Sequence, residues 1–477
     1  MTSKTHERQH AGAITSFAPL VLLVVLLVIT VRNFGTDTLS GASQMVLLLC
    51  SALCVLLGKV VMHRPFKMFE EAITRNVSSV ATALVILLFI GSLSGTWMVS
   101  GVVPTLIYYG LQVMHPAIFL LLTCVICALV SVMTGSSWTT VATIGIALMG
   151  IGKALGFQEG WVAGAIISGA YFGDKISPLS DTTVLAASVS GVPLFVHIRN
   201  MLRTTVPSMV VTLLIFGVAG CILEHATSAE AAQFANALTN RFVISPWLLI
   251  VPLLTALMIA QRLSPIVTLF LSTIIGVVAA VLVQTDVMRD IDPSIFRAAL
   301  TSCFGSTEVP TSDTLLSSLV STRGMAGMLS TIWLILCAMC FGACMQAGGM
   351  VEGMTRVLLR MVRGRFSLVT SHVVTGLLLN IAVADQYLCI LLSANIFRRA
   401  YTQLGYEPKL LSRTTEDSVT VTSVLVPWNT CGMTQSTVLG VSTLAYLPFC
   451  FFNILSPIMS IIISGKLEKL SKPSVKE

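Results

Sequence analysis

Apolar runs of about 17 to 25 residues, each long enough to cross a hydrocarbon core, recur along this chain from near Ile14 to near Val441. Others begin near Gln44, Val80, Met201, Trp247, Ser264, Met328 and Leu368. Counting interrupted segments, about a dozen membrane helices or helix pairs are expected. Only 10% of the 477 residues are charged and 55% are hydrophobic, whereas a soluble domain carries roughly 25% charged residues. A chain so poor in charge cannot cover a water-facing surface. The expectation is an all-α polytopic membrane protein, one integral domain over residues 1–477 with the lipid bilayer as its solvent.

The net charge of +7 is not a nucleic-acid signal, because the basic residues sit at helix ends and form no single patch. With both termini cytoplasmic, 21 of the 28 Lys and Arg residues fall on the cytoplasmic side, as the positive-inside rule requires. They include Lys4, Arg8, Lys59 to Arg75, Arg199, Arg203, Arg262, the run from Arg356 to Arg413 and the tail from Lys466 to Lys476. Lys175 is left at membrane depth. Residues 1–13 and the following apolar run imitate a signal peptide, but Arg32-Asn33-Phe34 follows in place of a small-residue cleavage pattern. An uncleaved first helix in the cell inner membrane is expected.

The 12 cysteines are scattered through apolar segments. Cys124 and Cys127, like Cys337 and Cys340, have metal-motif spacing but lie in spanning segments without turn residues, so they read as small buried hydrophobes. Two stretches are too polar to span, residues 223–245 and 285–327. Thr227-Ser228-Ala229-Glu230 is a capping-box pattern for a short Ala-rich helix, and Asp292-Pro293 and Ser312-Asp313 are helix starts. Both stretches read as periplasmic connectors.

Two distant regions share one order of features. Thr134-Gly135-Ser136-Ser137 interrupts the apolar stretch from about Pro116 to Leu155, and about 43 residues later comes Ser177-Pro178-Leu179-Ser180-Asp181. Ala384-Asp385-Gln386-Tyr387 interrupts the stretch from about Phe366 to Tyr401, and about 43 residues later comes Val426-Pro427-Trp428-Asn429-Thr430. Each time an apolar arm, a polar tip and a second arm precede a helix broken at proline. Proline lacks an N–H and disfavours helix at the residue before it; Ser180 or Asp181, and Asn429, suit the cap of the half-helix that restarts. Irregular backbone at membrane depth survives only inside protein or beside a water-filled cavity. Matching breaks in two halves therefore point to a midplane binding site. The fold expected is two inverted repeats, about 80–222 and 328–464, each with a re-entrant helical hairpin and a discontinuous transmembrane helix.

Acids at membrane depth are costly and default to functional roles. Asp181 is the first choice, because Ser177, Ser180, Thr182 and Thr183 surround it in sequence. A carboxylate with hydroxyl and carbonyl oxygens is what a hard cation seeks, so Asp181, Ser177 and Thr182 are the sodium candidates; the rival role for Asp181 is capping alone. Asp174, Asp385, Ser137, Ser180, Asn429 and Thr430 complete the set of ion- or substrate-binding candidates. Lys175 either neutralises a nearby acid or takes part directly. Glu416 and Asp417 follow Arg413 near an expected helix start and read as capping, solvated residues. His197 reads as a helix-end residue and His372 as a satisfied interior one. Aspartates near helix starts offset the positive half-helix ends, and no arginine lies in the four polar interruptions, which tilts the site towards cations.

At these residues the chain resembles the NhaC family of sodium/proton antiporters. The run Gly169-Ala170-Tyr171-Phe172-Gly173-Asp174-Lys175-Ile176-Ser177-Pro178-Leu179-Ser180-Asp181-Thr182-Thr183 carries the resemblance, with His197-Ile198. So do Gly95-Thr96-Trp97, Pro104-Thr105-Leu106-Ile107-Tyr108-Tyr109-Gly110, Thr134-Gly135-Ser136-Ser137-Trp138, Ala384-Asp385-Gln386-Tyr387 and Pro427-Trp428-Asn429-Thr430-Cys431-Gly432. These blocks run in family order from about residue 80 to 440. Val184 departs from the pattern, where asparagine is expected, and removes one site oxygen. The resemblance implies an ion-transporter fold of two inverted repeats, usually a homodimer. It implies exchange of Na+ for H+, with relatives that couple these ions to malate/lactate exchange or move amino acids.

The function expected is sodium/proton antiport by alternating access, with no cofactor beyond the transported ions. The alternative is a sodium- or proton-coupled carrier of a small carboxylate or amino acid. An enzyme is not indicated, since the sequence offers no nucleophile–base–orienter set, and paired breaks disfavour a channel.

Overall fold

Long apolar runs become helices in this chain because a helix satisfies its own backbone where water cannot reach. The computed structural model describes residues 12–34, 41–226, 228–309, 316–317 and 320–467. The Ser312-Asp313 helix start, Thr227 of the capping-box pattern and the basic residues Lys4, Arg8, Lys469, Lys472 and Lys476 lie outside them. Among the described residues the architecture is all-helical, with one isolated bridge between Thr307 and Thr322.

The chain opens with α1 (Ala13–Phe34), α2 (Ala42–Val60) and α3 (Phe66–Ser79). Then come α4 (Ala81–Val99), α5 (Val102–Val113) and α6 (Pro116–Thr134). The short α7 (Ser137–Thr140) runs through a π turn (Val141–Gly145) into α8 (Ile146–Ala154), followed by α9 (Glu159–Ile176), α10 (Asp181–Ser190) and α11 (Leu194–Ile222). The middle of the chain holds α12 (Ser228–Arg241), α13 (Ile250–Ala260), α14 (Pro265–Val283), α15 (Thr285–Ile291) and α16 (Ile295–Phe304). The last third holds α17 (Leu329–Ala347), α18 (Met350–Leu359), α19 (Arg365–Val383), α20 (Gln386–Gln403), α21 (Pro408–Thr415), α22 (Thr430–Leu439), α23 (Thr443–Tyr446) and α24 (Phe451–Leu467). Among the described residues, eight helices are long and apolar enough to cross a membrane, or up to ten when two bent pairs are each taken as one span. The rest of the dozen expected are broken or short.

The expected starts near Ile14, Gln44, Val80, Ser264, Met328 and Leu368 each open such a helix. The run near Trp247 follows a 93° bend after the polar α12. Large apolar side chains such as Val25, Leu214, Leu253, Phe270 and Val278 stand exposed on the outer faces, where a water-soluble fold would hide them.

The element order of residues 81–222 returns in residues 329–467. A 19-residue helix (α4, α17) is followed by a glycine with positive φ (Gly101, 77°; Gly349, 72°) that starts a short helix. Another 19-residue helix (α6, α19) ends at a left-handed residue, Gly135 in one half and Ala384 in the other. Each half then reaches a 10-residue restarted helix (α10, α22) closed by a left-handed glycine, Gly191 or Gly440.

Inside the first half, α6 and α9 pack against each other through glycine. A Cβ on Gly169 would stand 2.2 Å from the carbonyl oxygen of Cys124, and one on Gly173 would stand 2.5 Å from that of Ala128. Ser131 Oγ donates to the carbonyl of Ala170 at 2.5 Å and stitches the same seam. The close approach brings the end of α9 level with the tip between α6 and α7. Gly173→Ala should therefore push α6 away and cost about 1–3 kcal/mol, read as a lower unfolding temperature of the purified protein in detergent.

Candidate functional site

Each break carries a proline, and the first is held by hydroxyls. After Ile176 the chain leaves the helix at Ser177, whose hydroxyl donates to the carbonyl of Val132 at 2.8 Å and accepts from Leu179 N at 3.2 Å. Ser180 caps α10 by accepting from Thr183 N, so of the two expected caps it is Ser180, not Asp181, that serves. Thr183 Oγ1 donates back to the carbonyls of Asp174 (3.1 Å) and Lys175 (3.0 Å), closing the open end of α9. Gly135 needs its left-handed φ of 67°, and a Cβ there would lie 2.6 Å from the backbone carbon of Leu179. The first tip thus sits directly on the first break.

Asp174 is the centre of this junction. It is buried, its Oδ2 accepts from Ser137 N (3.2 Å) and Ser137 Oγ (2.7 Å), and its Oδ1 accepts from Ser180 Oγ (2.6 Å). Thr182 Oγ1 joins through Ser180 Oγ at 3.0 Å. The structure gathers Asp174, Ser137, Ser180 and Thr182 into one oxygen cluster. It turns Ser177 away as a brace to α6, and it leaves Asp181 exposed at the first residue of α10. Asp181 remains within electrostatic range of both Asp174 and Tyr387. Val184 is exposed on α10.

The second tip and break repeat the plan with other side chains. Asp385 caps α20 by accepting from Leu388 N at 2.9 Å, and its second oxygen faces Thr430 Oγ1 at 3.4 Å. Thr430 N donates to the carbonyl of Ala384 at 2.9 Å, so tip meets break again. Asn429 caps α22, accepting from Cys431 N (3.1 Å), and its amide donates to the carbonyl of Asn380 (3.2 Å). The unwound stretch before this break is held by amides from three helices. Asn380 donates to the carbonyl of Val419 (2.8 Å), Asn453 to that of Val421 (2.7 Å) and Gln386 to that of Thr420 (3.2 Å). The two junctions are neighbours: Tyr171 of α9 and Trp138 of the first tip both lie against Cys431.

A third polar group lies between the halves. Lys175 is fully buried and ion-paired with Asp417; its ammonium also donates to Ser456 Oγ at 2.7 Å. Thr204 Oγ1 donates to the same Asp417 oxygen at 3.1 Å, and Arg413, 1% exposed, stands 3.9 Å from the other. Glu416 and Asp417 are both fully buried on a π turn (Glu416–Thr420), which corrects their reading as solvated capping residues. Their crowding with Arg413 imitates an interface in sequence; the sign of burial was Lys175, which had no partner in its own half. His197 is interior too, its Nδ1 2.8 Å from Ser412 Oγ. His372 is the satisfied interior histidine expected, held by Tyr401 (3.1 Å) and Ser393 (2.8 Å) and stacked on Phe397.

Half-helix N-termini at a polar centre and buried carboxylates ringed by hydroxyls, within a bundle of long apolar helices, are the features of a multi-pass membrane transporter. The sequence profile of the Na+/H+ antiporter family matches residues 169–464, and the chain belongs to that family. It is 35% identical to the Na(+)/H(+) antiporter NhaC of Alkalihalophilus pseudofirmus over 94% of this chain and 95% of that one. It is 34% identical to the malate-2H(+)/Na(+)-lactate antiporter of Bacillus subtilis over 94% of each chain. A second NhaC antiporter, from Bacillus subtilis, is 34% identical over 84% of this chain and 87% of its own.

Removing one partner of a buried ion pair strands the other charge. Lys175→Met should destabilise the protein by about 3–5 kcal/mol. The double variant Lys175→Met, Asp417→Leu should recover most of that loss, as measured by thermal unfolding in detergent.

Proposed function

We propose that this chain is a secondary active transporter that exchanges sodium for protons across the cytoplasmic membrane by alternating access. The observation that carries this reading is the Asp174 cluster: a buried carboxylate gathering the hydroxyls of Ser137 and Ser180, with Thr182 beside them, where a tip meets a break. Oxygen ligands of this kind suit a hard cation. Four helix starts, at Ser136, Ser180, Asp385 and Asn429, lie at these junctions. By themselves they favour an anion. Asp174, Asp181 and Asp385 reverse that preference. Asp181, on the open side, is the first carboxylate that an arriving cation meets, and Asp385 with Thr430 and Asn429 is the counterpart in the second half.

The halves of about 80–222 and 328–464 act as inverted repeats whose tips are re-entrant hairpins, with both termini cytoplasmic and two copies forming a dimer. The repeated element order supports the repeats, and the one-sided basic residues support the orientation of the termini. Movement of the tip-bearing core against the outer helices then exposes the junctions to each side in turn. Sodium and protons exclude one another in the buried core, which makes the exchange obligatory.

A second reading has its own support, the 34% identity to a malate-2H(+)/Na(+)-lactate antiporter over 94% of each chain. On that reading sodium and protons accompany a small carboxylate, held by helix N-termini and hydroxyls.

Purified protein in liposomes should convert a sodium gradient into a pH difference. Asp174→Asn should reduce this to the level of empty liposomes, and Asp181→Asn should raise the sodium concentration needed. Full exchange by Asp174→Asn would remove the assignment of the cluster. Counterflow of labelled malate, lactate or an amino acid would favour the second reading, since a pure ion exchanger shows none.

A further inference from the structure

Glu416 takes no part in either junction, yet it is the buried acid with the least provision. It is fully buried, and neither carboxylate oxygen has a hydrogen-bond partner among the described residues. The other interior acids are supplied: Asp174 by Ser137 and Ser180, Asp385 by Leu388 N and Thr430, Asp417 by Lys175, Thr204 and Ser456. An ionised carboxylate stranded without a donor is among the costliest groups to bury.

Its setting is unusual in two further respects. Glu416 opens a five-residue π turn, Glu416–Thr420, a distortion that concentrates at functional sites. The neighbouring Thr420 hydroxyl, 1% exposed and without another partner, faces the Glu416 carboxyl, so the group set against this acid is a neutral hydroxyl. The charged and titratable groups around Glu416 are Asp174 and Lys175 of α9 and Asp417 of its own turn, with Arg413 on the turn before, and α10, also packed on this turn, carries Asp181. From α19, His372 reaches Thr415 at 3.4 Å; α20 brings Gln386, and α24 brings Ser456 and Asn453.

We propose that Glu416 is the proton-carrying group of the exchange, in a place separate from the Asp174 cluster and coupled to it through the Lys175–Asp417 pair. The proposal rests on the antiport reading above. Lys175 directly follows Asp174, and the acid it pairs with directly follows Glu416. A sodium ion at Asp174 adds positive charge to this neighbourhood and favours release of the Glu416 proton to water on the open side. Departure of the sodium favours its return from the water on whichever side is then open. Only the O–H bond of the Glu416 carboxyl breaks and re-forms.

The test compares two transport modes in liposomes holding the full chain. Wild-type protein should show sodium-driven proton movement and also exchange of labelled for unlabelled sodium, which moves no proton. Glu416→Gln should lose the first and keep the second, so retained sodium exchange reports that the variant is folded. Glu416→Asp should keep proton movement with a displaced pH profile. The proposal is overturned if Glu416→Gln moves protons with the wild-type pH profile, or if it loses both modes while monodisperse in detergent. A wild-type pH profile for Glu416→Asp overturns it as well, should the Gln variant not fold. Absence of sodium-driven proton movement in the wild type would instead sink the antiport reading itself.

Discussion

Two helices of this chain stop and restart in the interior of an apolar helical bundle, and each stop frees backbone groups that apolar surroundings cannot satisfy. Much else in the core serves that requirement. At the first break the cost is met locally: Thr183 returns to the carbonyls of Asp174 and Lys175, and Ser177 braces the loop to α6. That bracing needs α6 and α9 almost in backbone contact, which is why Gly169 and Gly173 stand where a larger residue would strike a carbonyl. The second break is longer, a π turn followed by a 3-10 turn, and it is held from a distance by Asn380, Gln386, Asn453 and Tyr446. One half is rigid through small residues and the other through amides.

The parts of this design that follow from local chemistry were legible in the sequence. Pro178 and Pro427 mark both breaks, Asn429 caps its helix as expected, and apolar length identifies the spans. What spacing could not reveal was which carboxylate the hydroxyls would face. Asp181 lies among Ser177, Ser180, Thr182 and Thr183 in sequence, but the first residue of a restarted helix points away from its own cap. Asp174 lies two residues before the end of α9, so the loop after it folds back and brings Ser180 to its oxygen. The tip then adds Ser137 from 37 residues earlier. Lone polar residues in apolar helices, such as Asn380 and Asn453, give no local sign of their role, because their partners are backbone carbonyls of a distant unwound stretch.

The burial of Glu416 and Asp417 is hidden in the sequence for a related reason. Charges in a row ordinarily mark a helix end at the membrane surface, where water solvates them. Here the row is interior, and Asp417 is tolerable only because Lys175 arrives from 242 residues away in the chain. A buried pair of this kind adds little net stability, since desolvation consumes most of the attraction. Its worth lies in position: it fastens the end of α9, which carries Asp174, to the π turn, which carries Glu416.

That fastening bears on how exchange is kept tight. Two binding groups on independent elements could load and unload separately, and the carrier would leak. With Lys175 and Asp417 tied, α9 and the π turn shift as one unit against the outer helices, so the Asp174 cluster and Glu416 move together. The pair is neutral in itself, so the charge of the moving core depends on what occupies the two places beside it. On the assignment proposed above, and counting the buried Arg413 beside Asp417, one ion at either place brings these five groups to neutrality, both together leave one surplus positive charge, and neither leaves one bare carboxylate in a dry interior. The singly occupied states are therefore the ones best able to move, which is the condition that one-for-one exchange requires.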